Sequence, residues 1–288
     1  MPPPGRAYTG GVDERDFREF EQATSGRDLD VDLFGAAIVI ARLGGRLVDP
    51  NEVARKLDVI AEAAHDRAGD STSVDALAHA IDHELFTVRG FHGNSVSYYE
   101  PENSYLDQVI EQRTGIPITL SLVYMEVAQR IGLRCDGIGF PGHFIVRCGE
   151  PDAPIYVDPF HQGVRLDSAE LLAQLRHADL GGAQPESFLA ALTRRQVLQR
   201  MLRNLHLIFR ENGDAARRLD VVELWLRLEP WNATLIGERG MLNYRMGHSD
   251  MALVDLQRYV ESVAPESVSA PARRLLEHLR LRGGESED

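Results

Sequence analysis

Between Arg113 and Phe160 the periodicity of the chain changes twice, and no other stretch constrains the fold as much. Leu120, Val123, Tyr124, Val127 and Ile131 recur at helical spacing after Pro117, the pattern of a helix buried among other elements. Two short runs rich in β-branched and aromatic residues follow, Phe144-Ile145-Val146-Arg147 and Ile155-Tyr156-Val157, and both read as strands. The order is helix, strand, strand. His143 enters the first strand behind Pro141-Gly142, and Asp158 closes the second ahead of Pro159. An Asp that accepts from the imidazole fixes its tautomer. In the alternative, Asp158-Pro159 is a turn and His143 a surface residue. His161 follows at once and adds a second imidazole.

Upstream, Asp13 to Glu21 and Val31 to Leu43 have helical spacing, the second with Leu33, Ala37, Ile40 and Ala41 on one face. Asp49-Pro50 marks a helix start, with Val53, Leu57, Ile60 and Ala61 as its apolar stripe. A further helix runs from about Ser73, through Leu77, Ala80, Ile81 and Leu85, to a stop near Arg89-Gly90. His79 and His83 lie four apart beside Glu84, but a metalloprotease pair needs its Glu next to the first His, and no third ligand is apparent. His65 is isolated, and no metal or cofactor is assigned. Residues 91–106 read as a loop rich in aromatics and turn formers, Tyr98 and Tyr99 being cleft wall or core. Asn103 either caps a helix starting near Ser104 or lines a cleft with its amide. Glu126, flanked by Met125 and Val127, is expected to pair with Arg113 or Arg147.

Several short motifs occur together: Asn103-Ser104-Tyr105-Leu106, Arg113-Thr114-Gly115-Ile116-Pro117, Tyr124-Met125-Glu126-Val127-Ala128, Arg130-Ile131-Gly132-Leu133, Pro141-Gly142-His143-Phe144 and Val157-Asp158-Pro159-Phe160. The set resembles the transglutaminase-like core of a bacterial SirB-type family, over roughly residues 30 to 180. The resemblance implies an α+β fold. It comprises a papain-like, transglutaminase-like core with a helical N-terminal lobe, followed by a C-terminal all-α region of tetratricopeptide-like repeats.

It also implies that His143 and Asp158 are two members of a catalytic triad. Catalytic relatives open the helix with Gly-x-Cys, fifteen residues before a Gly-Ile or Gly-Leu pair, and fifteen before Gly132 stands Pro117. Proline offers neither a nucleophile nor a backbone donor. Cys135 follows the helix and Cys148 follows the His143 strand, so both read as small buried hydrophobes. Thr119 and Ser121 supply hydroxyls further into the helix, but a hydroxyl ionises far less readily than a thiol. In this fold the helix start around Ile118 and Thr119 faces His143, and its free amides suit an anion or carboxylate. The implied cleft contains Asn103, Pro117, Ile118, Thr119, Ser121 and His161.

From Thr193 the chain is helical again, with a repeat near thirty-four residues. Gly213 and Gly247 are 34 apart, Pro230 and Pro265 are 35 apart, and Leu228-Glu229-Pro230-Trp231-Asn232 resembles a junction between tetratricopeptide units. Gly240, Tyr244, Gly247, Ala252 and Leu256 fit the second unit, whereas Arg218 stands where the first expects a small residue. Two units with a trailing helix, Ala270 to Arg282, cannot bury their apolar faces alone. The expected divisions are a disordered leader over 1–12, the core with its N-terminal lobe over 13–185, and the repeats over 190–288.

With 288 residues, 43% hydrophobic, the chain has material for one sizeable core and a smaller companion. Its formal charge of −13 argues against broad attraction to nucleic acid or anionic membrane. The run from Phe34 to Leu43 is too short to span a bilayer. Two cysteines make no disulfide framework and no signal peptide is recognisable, so the cytoplasm is the expected location. Three functions follow: a noncatalytic transglutaminase-like module binding a peptide or protein; a cysteine-independent hydrolase or acyl transferase using His143 and Asp158 with Ser121, Thr119 or water; and a scaffold acting through its repeats.

Overall fold

The computed structural model describes residues 11–178 and 181–284. The expected leader lies, through residue 10, outside the described residues. In chain order the elements are α1 (Glu14–Ala23), α2 (Leu33–Arg42), α3 (Pro50–Ala68), α4 (Val74–Asp82), β1 (His92–Gly93), α5 (Leu106–Gln112), β2 (Thr114–Gly115), α6 (Pro117–Arg130), β3 (Cys135–Ile138), β4 (Ile145–Cys148), β5 (Ile155–Asp158), β6 (Val164–Leu166), α7 (Ser168–His177), α8 (Arg194–Glu211), α9 (Ala215–Leu228), α10 (Ala233–Arg245), α11 (Ser249–Ser262) and α12 (Ala270–Gly284). The chain divides into two compact units. One is Gln22–Met201, and the other joins the N-terminal segment through Glu21 to the residues from Leu202 onward.

The larger unit is an α+β arrangement centred on α6. From Pro117 to Tyr124 every residue of this helix is buried, as are Glu126, Val127 and Ala128. Helices α3, α4 and α5 pack on one side of it, and β3 and β4 on another. Strands β3 to β6 form a four-stranded antiparallel sheet in sequence order. Their register sets Cys135, Val146, Cys148 and Val157 on one face and Ile138, Ile145 and Tyr156 on the other. The second set forms a small core with Leu171 of α7. The helix starts follow local chemistry: Asp49 caps α3 through Asn51 N, with Pro50 in its first turn, and Ser73 caps α4 through Ala76 N. The apolar stripes expected for α3 and α4 are all buried, and α4 continues as a wider π-type turn over His83–Val88 before ending at Arg89.

Two local expectations are corrected. Glu126 pairs with neither Arg113 nor Arg147. Its carboxylate accepts from Arg130 Nη1 at 2.7 Å, one helical turn on, whereas Arg147 is held by Asp136 opposite it in the sheet and Arg113 donates to the Arg89 carbonyl. The helix placed near Ser104 starts at Leu106, behind a 3₁₀ turn over Pro101–Ser104, and Asn103 does not cap it.

In the second unit α9 to α12 share one core that includes Leu219, Val222, Leu226, Ile236, Leu242, Ala252, Leu256 and Leu276. The thirty-four-residue period has a structural counterpart. Gly213 and Gly247, with φ of 71° and 83°, each follow a helix in the left-handed conformation. The next amide reaches back five residues in both, Asp214 N to Phe209 O and His248 N to Asn243 O, the same helix-ending motif twice. Asp214 caps α9 directly after the first of these glycines, and Asn232 caps α10. Arg218, the misfit of the first repeat, has a structural role: its Nε donates to Glu238 Oε1 at 2.6 Å, and the same oxygen accepts from His206 Nε2. Burial tends to raise the Glu238 carboxyl, but His206 and Arg218 outweigh it and hold it below the usual range. Arg218→Ala, which restores the small residue of the repeat consensus, is therefore expected to destabilise the protein by about 2 kcal/mol by stripping a partner from a partly buried carboxylate. Urea unfolding checks this, and a gain in stability would overturn it.

Candidate functional site

The turn Phe140-Pro141-Gly142-His143 delivers the first functional side chain. His143 N donates to Phe140 O at 3.0 Å, and Gly142 has φ 70°, so the Pro-Gly pair forms the type II turn its chemistry favours. A residue from a distant segment secures it: Arg200 of α8 donates to the His143 carbonyl at 3.0 Å, and its guanidinium stacks over the Phe144 ring at 5.4 Å. Asp158, at the end of β5, divides its two oxygens between two tasks. Oδ1 accepts from the amides of Phe160 and His161 at 3.1 and 3.2 Å, fixing the turn after Pro159. Oδ2 accepts from His143 Nε2 and from His161 Nδ1, each at 2.7 Å. The turn therefore forms, and it also holds the dyad.

With Nε2 of His143 donating to the carboxylate, Nδ1 is the acceptor of the neutral ring and remains available to take a proton. Burial works to raise the Asp158 carboxyl, but the hydrogen bonds and charge of the two imidazoles outweigh it and hold it below its usual value of 3.8. His143, Asp158 and His161 are also the His/Cys/Asp/Glu group that comes close enough to hold a metal ion, with one ligand atom from each within 4.8 Å of the others among the described residues. Ligands of a tetrahedral ion with bonds near 2.1 Å stand about 3.4 Å apart, so contacts of 2.7 Å suit shared protons better. His79 and His83 do not join this group; they lie 3.7 Å from Asp75 and 3.9 Å from Glu84 respectively.

A three-residue segment brings the start of α6 to this dyad. His92 N and Asn94 N donate to Arg113 O and Gly115 O, while Gly93 N, pointing the other way, donates to Phe160 O. The backbones of Gly115 and Phe160 thus flank one extended strand, within about 10 Å of each other at normal strand spacing. A Cβ on Gly93 would sit 2.5 Å from the Phe160 ring, so the stitch requires glycine on steric grounds. Pro117 opens α6 two residues beyond Gly115, with Ile118 and Thr119 buried in the same first turn.

The hydroxyls and thiols of the region are placed as follows. Thr119 Oγ1 lies 2.6 Å from Asn103 O and 3.1 Å from Ile116 O, and accepts from Ile116 N at 3.2 Å, so it closes the helix start. Ser121 is fully buried, and its hydroxyl has no hydrogen-bond partner among the described residues. Cys135 and Cys148 pair with each other at the end of the β3–β4 ladder opposite to His143. Asn103 is buried and uses its amide within the loop, donating to the carbonyls of Ser97 and Tyr98 and accepting from Asn94.

Sequence reasoning left Tyr98 and Tyr99 unassigned and did not single out Phe160. The structure sets these rings in a row: Tyr99 against Tyr98 at 5.2 Å, Tyr98 against Phe160 at 6.2 Å, and Phe160 against His143 and His161 at 6.0 and 5.2 Å. Tyr99 and the nearby Val96 are 72% and 95% exposed. The aromatic density of residues 91–106 was the available signal; for Arg200, helical periodicity carried none.

A papain-like helix with a His strand and an Asp strand, followed by paired helices, defines a protein with a transglutaminase-like core and tetratricopeptide repeats. The chain belongs to the transglutaminase-like superfamily, whose pattern matches residues 51–203, and a tetratricopeptide-repeat pattern matches 202–280. It is similar to a UPF0162 protein of Xylella fastidiosa strain Temecula1, 38% identical over 187 residues, which cover 63% of this chain and 66% of the relative. A UPF0162 protein of Haemophilus influenzae is 31% identical over 206 residues, 69% of this chain and 74% of that protein. Human F-box only protein 21 is 28% identical over 246 residues, 75% of this chain and 38% of that longer protein. The UPF0162 relatives fit the bacterial family expected from the motifs.

Because the folded carboxyl of Asp158 sits below its unfolded value, its stabilising contribution is complete above about pH 4 and is lost as pH falls through the folded pKa. Asp158→Asn is expected to cost about 1–3 kcal/mol at pH 7 and progressively less towards pH 3. Thermal melts across that range test this, and a penalty that does not change with pH would contradict it.

Proposed function

We propose that the surface around His143, Asp158, Phe160 and Tyr98 binds a peptide or protein segment, and that the dyad recognises its ligand rather than carrying out acyl transfer. The observation that carries this reading is the inventory of nucleophiles. Pro117 stands where catalytic relatives of this fold place a thiol, Thr119 is engaged in closing its helix, Ser121 is buried, and both thiols lie at the far end of the ladder. A triad without a nucleophile cannot form the covalent intermediate. What remains is a polar pair beside the half-buried rings of Phe160 and Tyr98 and the exposed ring of Tyr99, which supply contact area at low entropic cost. The imidazoles of His143 and His161 favour an acidic or amide-bearing group on the ligand.

Tetratricopeptide repeats fit a protein-interaction role, and the likeness to part of an F-box only protein puts a homologous region inside a larger chain. A charge of −13 makes nucleic acid and anionic membrane poor partners, and among the described residues no helix is long and apolar enough to cross a membrane. A cytoplasmic partner is the simplest reading.

The test is an NMR titration of the full chain with glutamine- and lysine-containing peptides and small carboxylates, run beside an ammonia-release assay. Saturable shifts at His143, His161 and Tyr98 that weaken about tenfold or more in His143→Ala, equivalent to about 1.4 kcal/mol, without ammonia release, are the expected result. Turnover that disappears in His143→Ala would instead make the dyad a general base acting on water or a hydroxyl. Absence of binding to the core would move the activity to the repeats.

A further inference from the structure

Strands β3 and β4 carry the two cysteines of the chain at directly opposed positions, Cys135 in register with Cys148. Gly149 N donates to Arg134 O at 2.9 Å, a bond between the residues flanking the pair. Cys135 and Cys148 therefore occupy a non-hydrogen-bonded site of the ladder, where Cα atoms stand about 4.5 Å apart and side chains approach most closely. That separation lies within the span of about 4.4–6.8 Å that a disulfide bridges. The Sγ atoms are 2.6 Å apart, and both thiols are free. We propose that Cys135 and Cys148 form a modification site, a thiol pair converted reversibly into a cross-strand disulfide by a low-molecular-weight disulfide such as glutathione disulfide.

The two thiols differ in access. Cys148 is buried, whereas Cys135 is half-buried and lines a surface cavity of about 740 Å³, with Met125, Glu126, Gln129 and Arg134 among its walls. Cys135 is accordingly the attacking residue. Its thiolate displaces one thiol from the small disulfide, giving a mixed disulfide, and the departing sulfur takes up a proton. Cys148 then loses its proton and attacks the Cys135 sulfur, expelling the second thiol. The protein sulfurs lose two electrons and two protons, and the small disulfide is reduced to two thiols. Burial and the neighbouring Cys148 push the Cys135 thiol up, so the first step is slow at neutral pH and speeds up as pH rises. The proposal stands independently of the peptide-binding reading, since the pair lies at the end of β4 away from His143.

To test it, the full chain is incubated for hours at pH 8 with glutathione disulfide, quenched with iodoacetamide and examined by intact mass and peptide mapping. The expected result is a loss of about 2 Da with both cysteines protected from alkylation, reversed by dithiothreitol. A Tm several degrees higher in the oxidised form is also expected from closure of the hairpin loop. Cys148→Ser should instead retain a stable glutathione adduct on Cys135, while Cys135→Ser, altered at the more exposed position, should leave Cys148 unmodified. Wild-type protein that ends with both thiols alkylated, with a persistent single adduct, or as a disulfide-linked dimer would overturn the assignment.

Discussion

A helix that begins inside a folded domain has to account for its first amides without water, and the start of α6 is where the larger unit meets that requirement. Proline at the first position removes one donor outright. The Thr119 hydroxyl takes the Ile116 amide and ties the turn to the Asn103 carbonyl. The Ile116 and Leu120 amides also reach backbone carbonyls, those of Asn103 and Ile116. This end of the helix is built as a sealed structural joint. A reactive thiol at the same place would need polarity and access, and Pro117 with a buried Ile118 supplies neither. Pro117 at this position thus bears on packing as well as on chemistry.

The dyad survives beside this joint because other forces hold it. Asp158 is fixed by two backbone amides on one oxygen and by two imidazoles on the other, and none of these bonds depends on a nucleophile. Arg200 anchors the strand entry through the His143 carbonyl. Geometry of this kind persists for reasons of stability, which is why an intact His–Asp pair is a weak argument for turnover by itself. The row of rings from Tyr99 to His143 adds a surface that stability alone does not call for.

Where sequence reasoning succeeded, the cause was local. Asp49-Pro50 and Ser73 start helices, and the 34-residue spacing of Gly213 and Gly247 marks two glycines in the same left-handed conformation. Each of the helix-start signals is complete within a few residues. Glu126 was given a distant partner because a buried charge demands one, yet its partner lies a single turn away at Arg130, within the helix. Asn103 looked like a cap because Asn at a helix start is common, but its side-chain amide serves loop carbonyls five and six residues before it, and its backbone carbonyl holds a helix start thirteen and sixteen residues after it, a linkage visible only after folding. Arg200 and Arg218 were hidden for the same reason, since helical periodicity says nothing about which distant carbonyl or carboxylate a guanidinium will reach.

The pairing of β3 with β4 has an evolutionary corollary. A slip of one residue would turn Asp136 towards α6 and send Cys135 and Gly137 to the opposite face, so the register admits no intermediate. The connection over 139–144 inherits that rigidity, because His143 is positioned by counting back from Ile145 through a fixed turn. The connection over 149–154 carries no such obligation. Lineages of this family should therefore be free to lengthen or shorten the second hairpin while the first keeps its length.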